Sequence, residues 1–134
     1  MALLTEISVG EFLDKVSILE IKSDRIKDAA KLVNVRKELN ALRKIWDASA
    51  YAPRLSPLDY TRLKDVNESL WDIEDRIRDK EAASAFDTEF IELARSVYII
   101  NDNRARIKKE INQKLGSDLI EEKSYSDYSA NRPN

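Results

Sequence analysis

A polar run interrupts the most regular apolar pattern in the sequence. Between Phe86 and Gly116, apolar residues recur at alternating spacings of three and four, which places them along one face of a long helix. The run from Asn101 to Arg104 lies in the middle of this stretch, and Arg104 occupies a position on the apolar face. The face comprises Phe90, Leu93, Val97, Ile100, Arg104, Ile107 and Ile111.

A structural role for Arg104 requires a partner for its charge. Burying an unpaired guanidinium costs several kcal/mol, so the side chain must reach either a carboxylate or solvent. Asp72, Asp75 and Glu20 are the candidate carboxylates on neighbouring helices. Arg104 would then belong to a polar layer, facing Ser23, that fixes the register of the helices.

A functional role for Arg104 is the alternative. A guanidinium can hold a phosphate or a carboxylate in a fork of N–H donors. Asn101, Asp102 and Lys108 lie within one helical turn of Arg104 and would complete such a ligand-binding site. We favour the structural interpretation, but the sequence leaves both open.

A second set of residues suggests metal chemistry. The third predicted helix carries four carboxylates, from Glu68 to Asp79, at spacings of four, three and four, which bring them to one face. Helical nucleotide pyrophosphohydrolases hold Mg²⁺ with acidic residues of this kind on two helices. Basic residues are interleaved, however, so a solvated face of ion pairs is the simpler interpretation. The candidate metal ligands are Glu20, Asp24, Asp72 and Asp75.

The composition removes most other chemistry. The chain has no cysteine and no histidine, which excludes disulfides, thiolate nucleophiles, zinc sites of the Cys/His type and imidazole catalysis. We therefore lean against an enzyme and expect no cofactor, apart from Mg²⁺ if the carboxylates form a site.

These candidate residues must be positioned by helices. Of the 134 residues, 36% are charged, and there are only two glycines and three prolines, a composition that favours long helices over sheets. Four helices are predicted: Val9 to about Ala29, about Lys31 to Trp46, Pro57 to about Ala83, and the stretch that ends at Gly116. Short connections predict an all-α, antiparallel four-helix bundle or two long helical hairpins.

The ends of the chain are predicted to be extended. Residues 2–7 and the segment after Gly116 alternate weakly between apolar and polar residues and could pair with each other. We expect a single domain over residues 1–125 and a flexible tail over residues 126–134.

Three sequence signals mark helix starts. Ser8 with Glu11, and Ser56 with Asp59, have the spacing of a capping box. Asp87 is the expected cap of the fourth helix, and Gly116 is the expected left-handed residue at its end.

Self-association is predicted from two patterns. Ile18 and Ile21 lie away from the main apolar face of the first helix, so this helix is either the centre of the bundle or in contact with a second copy. The last two helices are also the longest and can project past the others. We expect a homo-oligomer or a protein partner.

The charge distribution bears on other partners. Residues 31–44 carry five basic residues and one acidic residue, and residues 104–114 have the same balance, so these helices could form a basic groove. The net charge of −2 and the pI near 5.3 argue against nucleic acid. No signal-like start and no membrane-spanning stretch is visible, so we expect a cytoplasmic protein without membrane association.

Three segments resemble a family of short, uncharacterised proteins of bacteria and their phages. They are residues 10–22 (GEFLDKVSILEIK), residues 90–102 (FIELARSVYIIND) and residues 121–125 (EEKSY). The family is a domain of unknown function. The resemblance implies an all-helical fold and, in some bacteria, a gene neighbourhood of surface-polysaccharide synthesis, but it carries no catalytic residues to this chain.

Three function classes follow. The leading hypothesis is an interaction or accessory module that self-associates. The first alternative is a Mg²⁺-dependent hydrolase of nucleotides or phosphosugars that uses the helix carboxylates. The second is a weak nucleic-acid binder.

Overall fold

The computed structural model describes residues 1–129, which form four α-helices. In this part of the chain there is no β-strand, and no helix has an apolar stretch long enough to cross a membrane. The predicted all-α fold is confirmed. The helices are α1 (Val9–Arg25), α2 (Ala29–Asp47), α3 (Pro57–Ala82) and α4 (Thr88–Leu115), with one short 3₁₀ turn at Ala52–Arg54.

Helix α1 is the centre of the fold. It packs against each of the other three helices, while α3 and α4 form a long hairpin and α2 rests mainly on α1. This arrangement explains the two apolar sides of α1. Ile21 is 2% exposed within a single chain, so the central-helix alternative accounts for it and no second copy is needed to cover it.

Two buried clusters form the core. The first joins α1 to the α3–α4 hairpin, and the second joins α1 to α2. On the α4 side, α1 approaches so closely that an added Cβ at Gly10 would lie 2.6 Å from the carbonyl oxygen of Lys108. The first cluster contains Val9, Leu13, Leu63, Val66, Leu70, Ile107, Ile111 and Leu115, and the second contains Val16, Leu19, Val35 and Leu39.

Helix α1 begins where the sequence predicts and ends earlier. The Ser8 hydroxyl accepts a hydrogen bond from the Glu11 amide at 3.1 Å, which confirms the N-terminal cap. The helix ends at Arg25, before the predicted Ala29, because Ile26 is extended. Asp28 then caps α2 by accepting from the Lys31 amide at 3.0 Å.

Of the other predicted helix caps, the two of α4 are confirmed and the one at the start of α3 is not. Asp87 accepts from the Phe90 amide at 3.0 Å, and Gly116 adopts the left-handed conformation at φ 68°, both as predicted. The predicted capping box at the start of α3 is wrong, because Ser56 makes no side-chain cap. Asp59 is buried instead and accepts from the ammonium group of Lys114 at 3.0 Å.

The C-terminal segment, residues 117–129, lies along α4. The predicted pairing with residues 2–7 is wrong, since neither stretch forms a strand in the described chain. Ion pairs hold the segment on the basic face of α4, including Lys109 with Glu122 at 3.1 Å and Lys123 with Asp102 at 2.6 Å. Tyr128 packs edge-on against Tyr98 at 5.0 Å. Of the predicted tail, residues 130–134 lie outside the described residues.

Candidate functional site

A polar layer crosses the interior where α1 meets the α3–α4 hairpin. It includes the unusual arginine of α4 and several polar residues that the apolar patterns did not single out. Four of its members, Asp14, Ser17, Asn67 and Lys108, are less than 9% exposed. The polar layer comprises Glu11, Asp14 and Ser17 from α1, Asn67 from α3, and Asn101, Arg104 and Lys108 from α4.

Asn67 is the residue that joins the three helices. Its amide nitrogen donates to Asp14 Oδ1 and to Ser17 Oγ, both at 2.8 Å. Its oxygen accepts from Arg104 Nη1 at 3.1 Å. Arg104 Nη2 donates to Asn101 Oδ1 at 2.8 Å, so two neutral amides orient the guanidinium. The bonds from Asn67 to Asp14 and Ser17 are buried and form away from competing water, whereas the two bonds of Arg104 are partly buried.

The predicted partners of Arg104 are wrong. Its hydrogen bonds go to Asn67 and Asn101, and no carboxylate of residues 1–129 forms an ion pair with it. Asp72 instead pairs with Arg25 at 2.5 Å, at the end of α1. Asp14 is linked to Arg104 indirectly, because Asn67 forms hydrogen bonds with both side chains. The expectation of a polar layer therefore holds with different members, and within residues 1–129 Ser23 forms no hydrogen bond with Arg104.

Lys108 is the second cation of the polar layer. Its ammonium nitrogen lies 2.6 Å from Glu11 Oε2, 3.5 Å from Glu121 Oε1 and 3.8 Å from Asp14 Oδ2. Burial lowers the pKa of Lys108, but these carboxylates raise it more, so its pKa lies above the ordinary lysine value. Burial likewise raises the pKa of Glu11, but the hydrogen bond and charge of Lys108 outweigh burial and the net pKa is lowered.

The variant Glu11→Gln tests this pairing through the pH dependence of the free energy of unfolding. A carboxyl group whose pKa is lowered in the folded state stabilises the fold above its unfolded pKa, and this stabilisation is lost as the pH falls through the folded value. We expect Glu11→Gln to lower the free energy of unfolding by about 1.5 kcal/mol at pH 7. The difference from wild type should shrink as the pH falls towards 3, because protonation of wild-type Glu11 removes the charge that pairs with Lys108.

Urea denaturation at both pH values measures the effect. Glu6→Gln is the matched control, because Glu6 lies before α1 and is exposed. A stability difference for Glu11→Gln that is equal at pH 7 and pH 3 would contradict the assigned ion pair.

The polar layer opens onto a cleft on the outer side of α4. Asn101, Arg104 and Lys108 line this cleft, whose volume is about 580 Å³, and residues 121–125 form its other wall. The structure thus brings together three of the four residues suggested for ligand binding. The fourth, Asp102, lines an adjoining groove of about 1360 Å³. Hydrogen bonds from Lys123 and Tyr128 lower the pKa of Asp102.

The four suggested metal ligands are not gathered into one site. Glu20 accepts from the Tyr60 hydroxyl and from Lys64 Nζ, the latter at 3.1 Å, on the side of α1 that faces the start of α3. Asp72 is paired with Arg25. Within residues 1–129, no group of three or more acidic side chains is arranged to hold a metal ion. Burial and the hydrogen bond to Glu20 also raise the pKa of Tyr60, so this hydroxyl remains protonated.

The two basic helices do not combine as expected for a basic groove. On α4, Lys108, Lys109 and Lys114 are engaged by acidic residues of the same chain. On α2, which rests mainly on α1, the basic side chains of Arg36 and Lys37 are exposed. The cationic surface of α2 therefore stands apart from that of α4.

Sequence reasoning missed the α1 side of the polar layer. Gly10, Asp14 and Ser17 recur at spacings of four and three, which is the pattern of a helix face in small and polar residues. The apolar pattern of α1 does not include these positions, so it gives no sign of this face. No sequence pattern of this kind indicates the role of Asn67, which follows the apolar residue Val66 on α3.

The comparisons with known proteins identify a family and no activity. No curated protein matches the chain, and no solved structure matches it. Residues 3–133 match DUF6165, which is described as a family of unknown function. Because this match spans nearly the whole sequence, the chain belongs to the DUF6165 family of unknown function.

Proposed function

We propose that this protein is an interaction module that associates with a second copy of itself through the hairpin tip. The hairpin tip is the part of the α3–α4 hairpin at residues 73–97. The observation that carries the proposal is that the hairpin continues past the end of α1, with apolar side chains that the same chain leaves half exposed.

The lengths of the helices create this projection. Helix α1 has 17 residues, whereas α3 has 26 and α4 has 28, so the hairpin helices are longer by about 14 to 17 Å. The end of α1 is marked by Arg25, which pairs with Asp72 and lies over the Trp71 ring at 5.9 Å. The hairpin tip begins at the next residue of α3.

The side chains of the hairpin tip are incompletely covered. Neither buried core cluster includes a residue of the hairpin tip, and only Leu93 within it is buried. Phe86 is 59% exposed and Ile91 is 55% exposed. Phe86 packs edge-on against Phe90 with ring centroids 5.3 Å apart, and exposed apolar groups that cluster in this way are typical of protein interaction sites. The partly covered apolar residues are Ile73, Ile77, Phe90 and Val97.

The charges of the hairpin tip are compatible with docking. Arg76 pairs with Glu89 at 2.8 Å, and Lys80 pairs with Asp87 at 2.9 Å and with Glu89 at 3.0 Å. These ions already have partners within the chain, so a second copy does not have to supply them. Two hairpin tips related by a twofold axis would bury the same patch on each copy, as most homodimers do.

Light scattering coupled to size exclusion tests the proposal. We expect the wild-type molar mass to rise from monomer towards dimer over tens to hundreds of micromolar. Replacing Phe86 and Ile91 together by serine should weaken the dimer by about 2 kcal/mol, because it removes two exposed apolar side chains from the contact. The fold should remain, since both side chains are largely exposed.

Ile45→Ser is the matched control. Ile45 is 59% exposed on α2, away from the hairpin tip, so its replacement removes a similar side chain and should leave the association unchanged. A wild-type protein that stays monomeric throughout this range would refute the proposal. Equal weakening by Ile45→Ser would place the contact elsewhere and refute the role of the hairpin tip.

A further inference from the structure

We propose that the cleft between α4 and the C-terminal segment binds a small amphipathic carboxylate. The anionic end would lie on Arg104, and the apolar end would lie beside Tyr98 and Tyr125. This proposal does not depend on self-association. It rests on the donors of Arg104, the charge balance of the polar layer and the apolar groove that adjoins the cleft.

Arg104 offers unused donors in a fixed orientation. A guanidinium has five N–H groups, and this one donates through Nη1 to Asn67 and through Nη2 to Asn101. Both acceptors are neutral, and in the described chain no acidic side chain forms an ion pair with Arg104. The side chain is half-buried and lines the cleft of about 580 Å³. It is therefore a pre-oriented cation that faces an accessible space.

The charges nearby favour a singly charged ligand. Glu11 and Asp14 balance Arg104 and Lys108 within the polar layer. Glu121 adds one further negative charge from the C-terminal segment, and it is loosely held at 3.5 Å from Lys108 with its side chain 55% exposed. An incoming carboxylate can take the place of Glu121 without changing the balance. A phosphate dianion in that place would bring one more negative charge than Glu121 does.

The groove beside the cleft suits an apolar body. It has a volume of about 1360 Å³ and shares Asn101 and Tyr125 with the cleft. Val97 and Tyr98 line it one to two turns of α4 away from Arg104. A ligand whose carboxylate meets Arg104 can extend a short chain along these side chains and remove apolar surface from water.

NMR of the arginine Nε–Hε groups tests the proposal. Hexanoate, acetate and inorganic phosphate are added separately to ¹⁵N-labelled protein at constant ionic strength. Hexanoate should shift the Arg104 signal saturably and bind about tenfold more tightly than acetate, because its longer chain is partly buried in the groove. The signal of Arg36, which is exposed on α2, should not follow the same curve. Phosphate should bind more weakly than hexanoate.

Two substitutions, each with its own control, sharpen the test. Glu121→Gln should tighten hexanoate binding about threefold by removing the competing carboxylate, and Asp118→Asn, which removes one charge from the same segment outside the cleft, should not. Arg104→Lys should abolish the saturable binding, whereas Arg36→Lys on α2 should preserve it. No saturable shift of Arg104, equal effects at Arg36, or phosphate binding as tight as hexanoate would overturn the proposal.

Discussion

Replacing Gly10 by alanine is expected to lower the free energy of unfolding by about 2 kcal/mol. A Cβ at this position would lie 2.6 Å from the carbonyl oxygen of Lys108 and 3.0 Å from Asn112 Oδ1. The first contact is with helix backbone, so relief requires α1 and α4 to separate. Separation would also stretch the bond from the Gly10 amide to Asn112 Oδ1, which is 2.6 Å long. This loss exceeds the gain of up to about 1 kcal/mol from placing alanine in a helix.

Chemical denaturation with Gly116→Ala as the companion variant measures this effect. Gly116 has a left-handed backbone at φ 68°, and an added Cβ there would meet no atom within 4 Å, so alanine should cost about 1 kcal/mol through backbone strain alone. Valine separates the two mechanisms at Gly10, because a larger side chain should cost more than alanine. A Gly10→Ala protein as stable as wild type would show that α1 and α4 can separate freely.

Asn67→Asp is expected to lower the free energy of unfolding by about 3 kcal/mol at pH 7. The substitution replaces the donor to Asp14 by a carboxylate oxygen and thus places two acids at a distance of about one hydrogen bond. It also removes the donor to Ser17. The new ion pair with Arg104 offsets only part of this cost, because the two carboxylates repel each other in a buried site.

The double variant provides the test of this arrangement. Adding Asp14→Asn to Asn67→Asp reverses the direction of the hydrogen bond and leaves one carboxylate in the pair. We expect the double variant to recover about 2 kcal/mol relative to Asn67→Asp alone. Denaturation of the four proteins of this cycle gives the coupling energy. Additive losses would show that the two side chains do not interact as the structure places them.

The polar layer is the basis of the prediction for Asn67. It joins α1, α3 and α4 by bonds that run between specific atoms, whereas the apolar clusters around it can be repacked with similar side chains. A buried network of this kind disfavours other registers of the helices, since any shift would leave its polar groups without partners. The same network orients Arg104 towards the cleft.

The sequence alone determined the local features of the fold. Ser8, Asp87 and Gly116 act where they are predicted to act, because a helix cap depends on backbone groups only three to five residues away. The apolar face of α4 is likewise set by the period of a helix, and Leu93, Ile107 and Ile111 along it are buried as expected. Helix number and fold class follow from such short-range signals.

Only the tertiary structure decided which residues meet across helices. Arg104 bonds to Asn67, 37 residues away in sequence, and not to the acidic residues that its charge suggested. Asp59 pairs with Lys114 across 55 residues in place of capping its own helix. Charge predicts that a partner is needed, but its identity depends on the angle and depth at which helices cross. At α1, that depth is set by the missing Cβ of Gly10 against the backbone of α4.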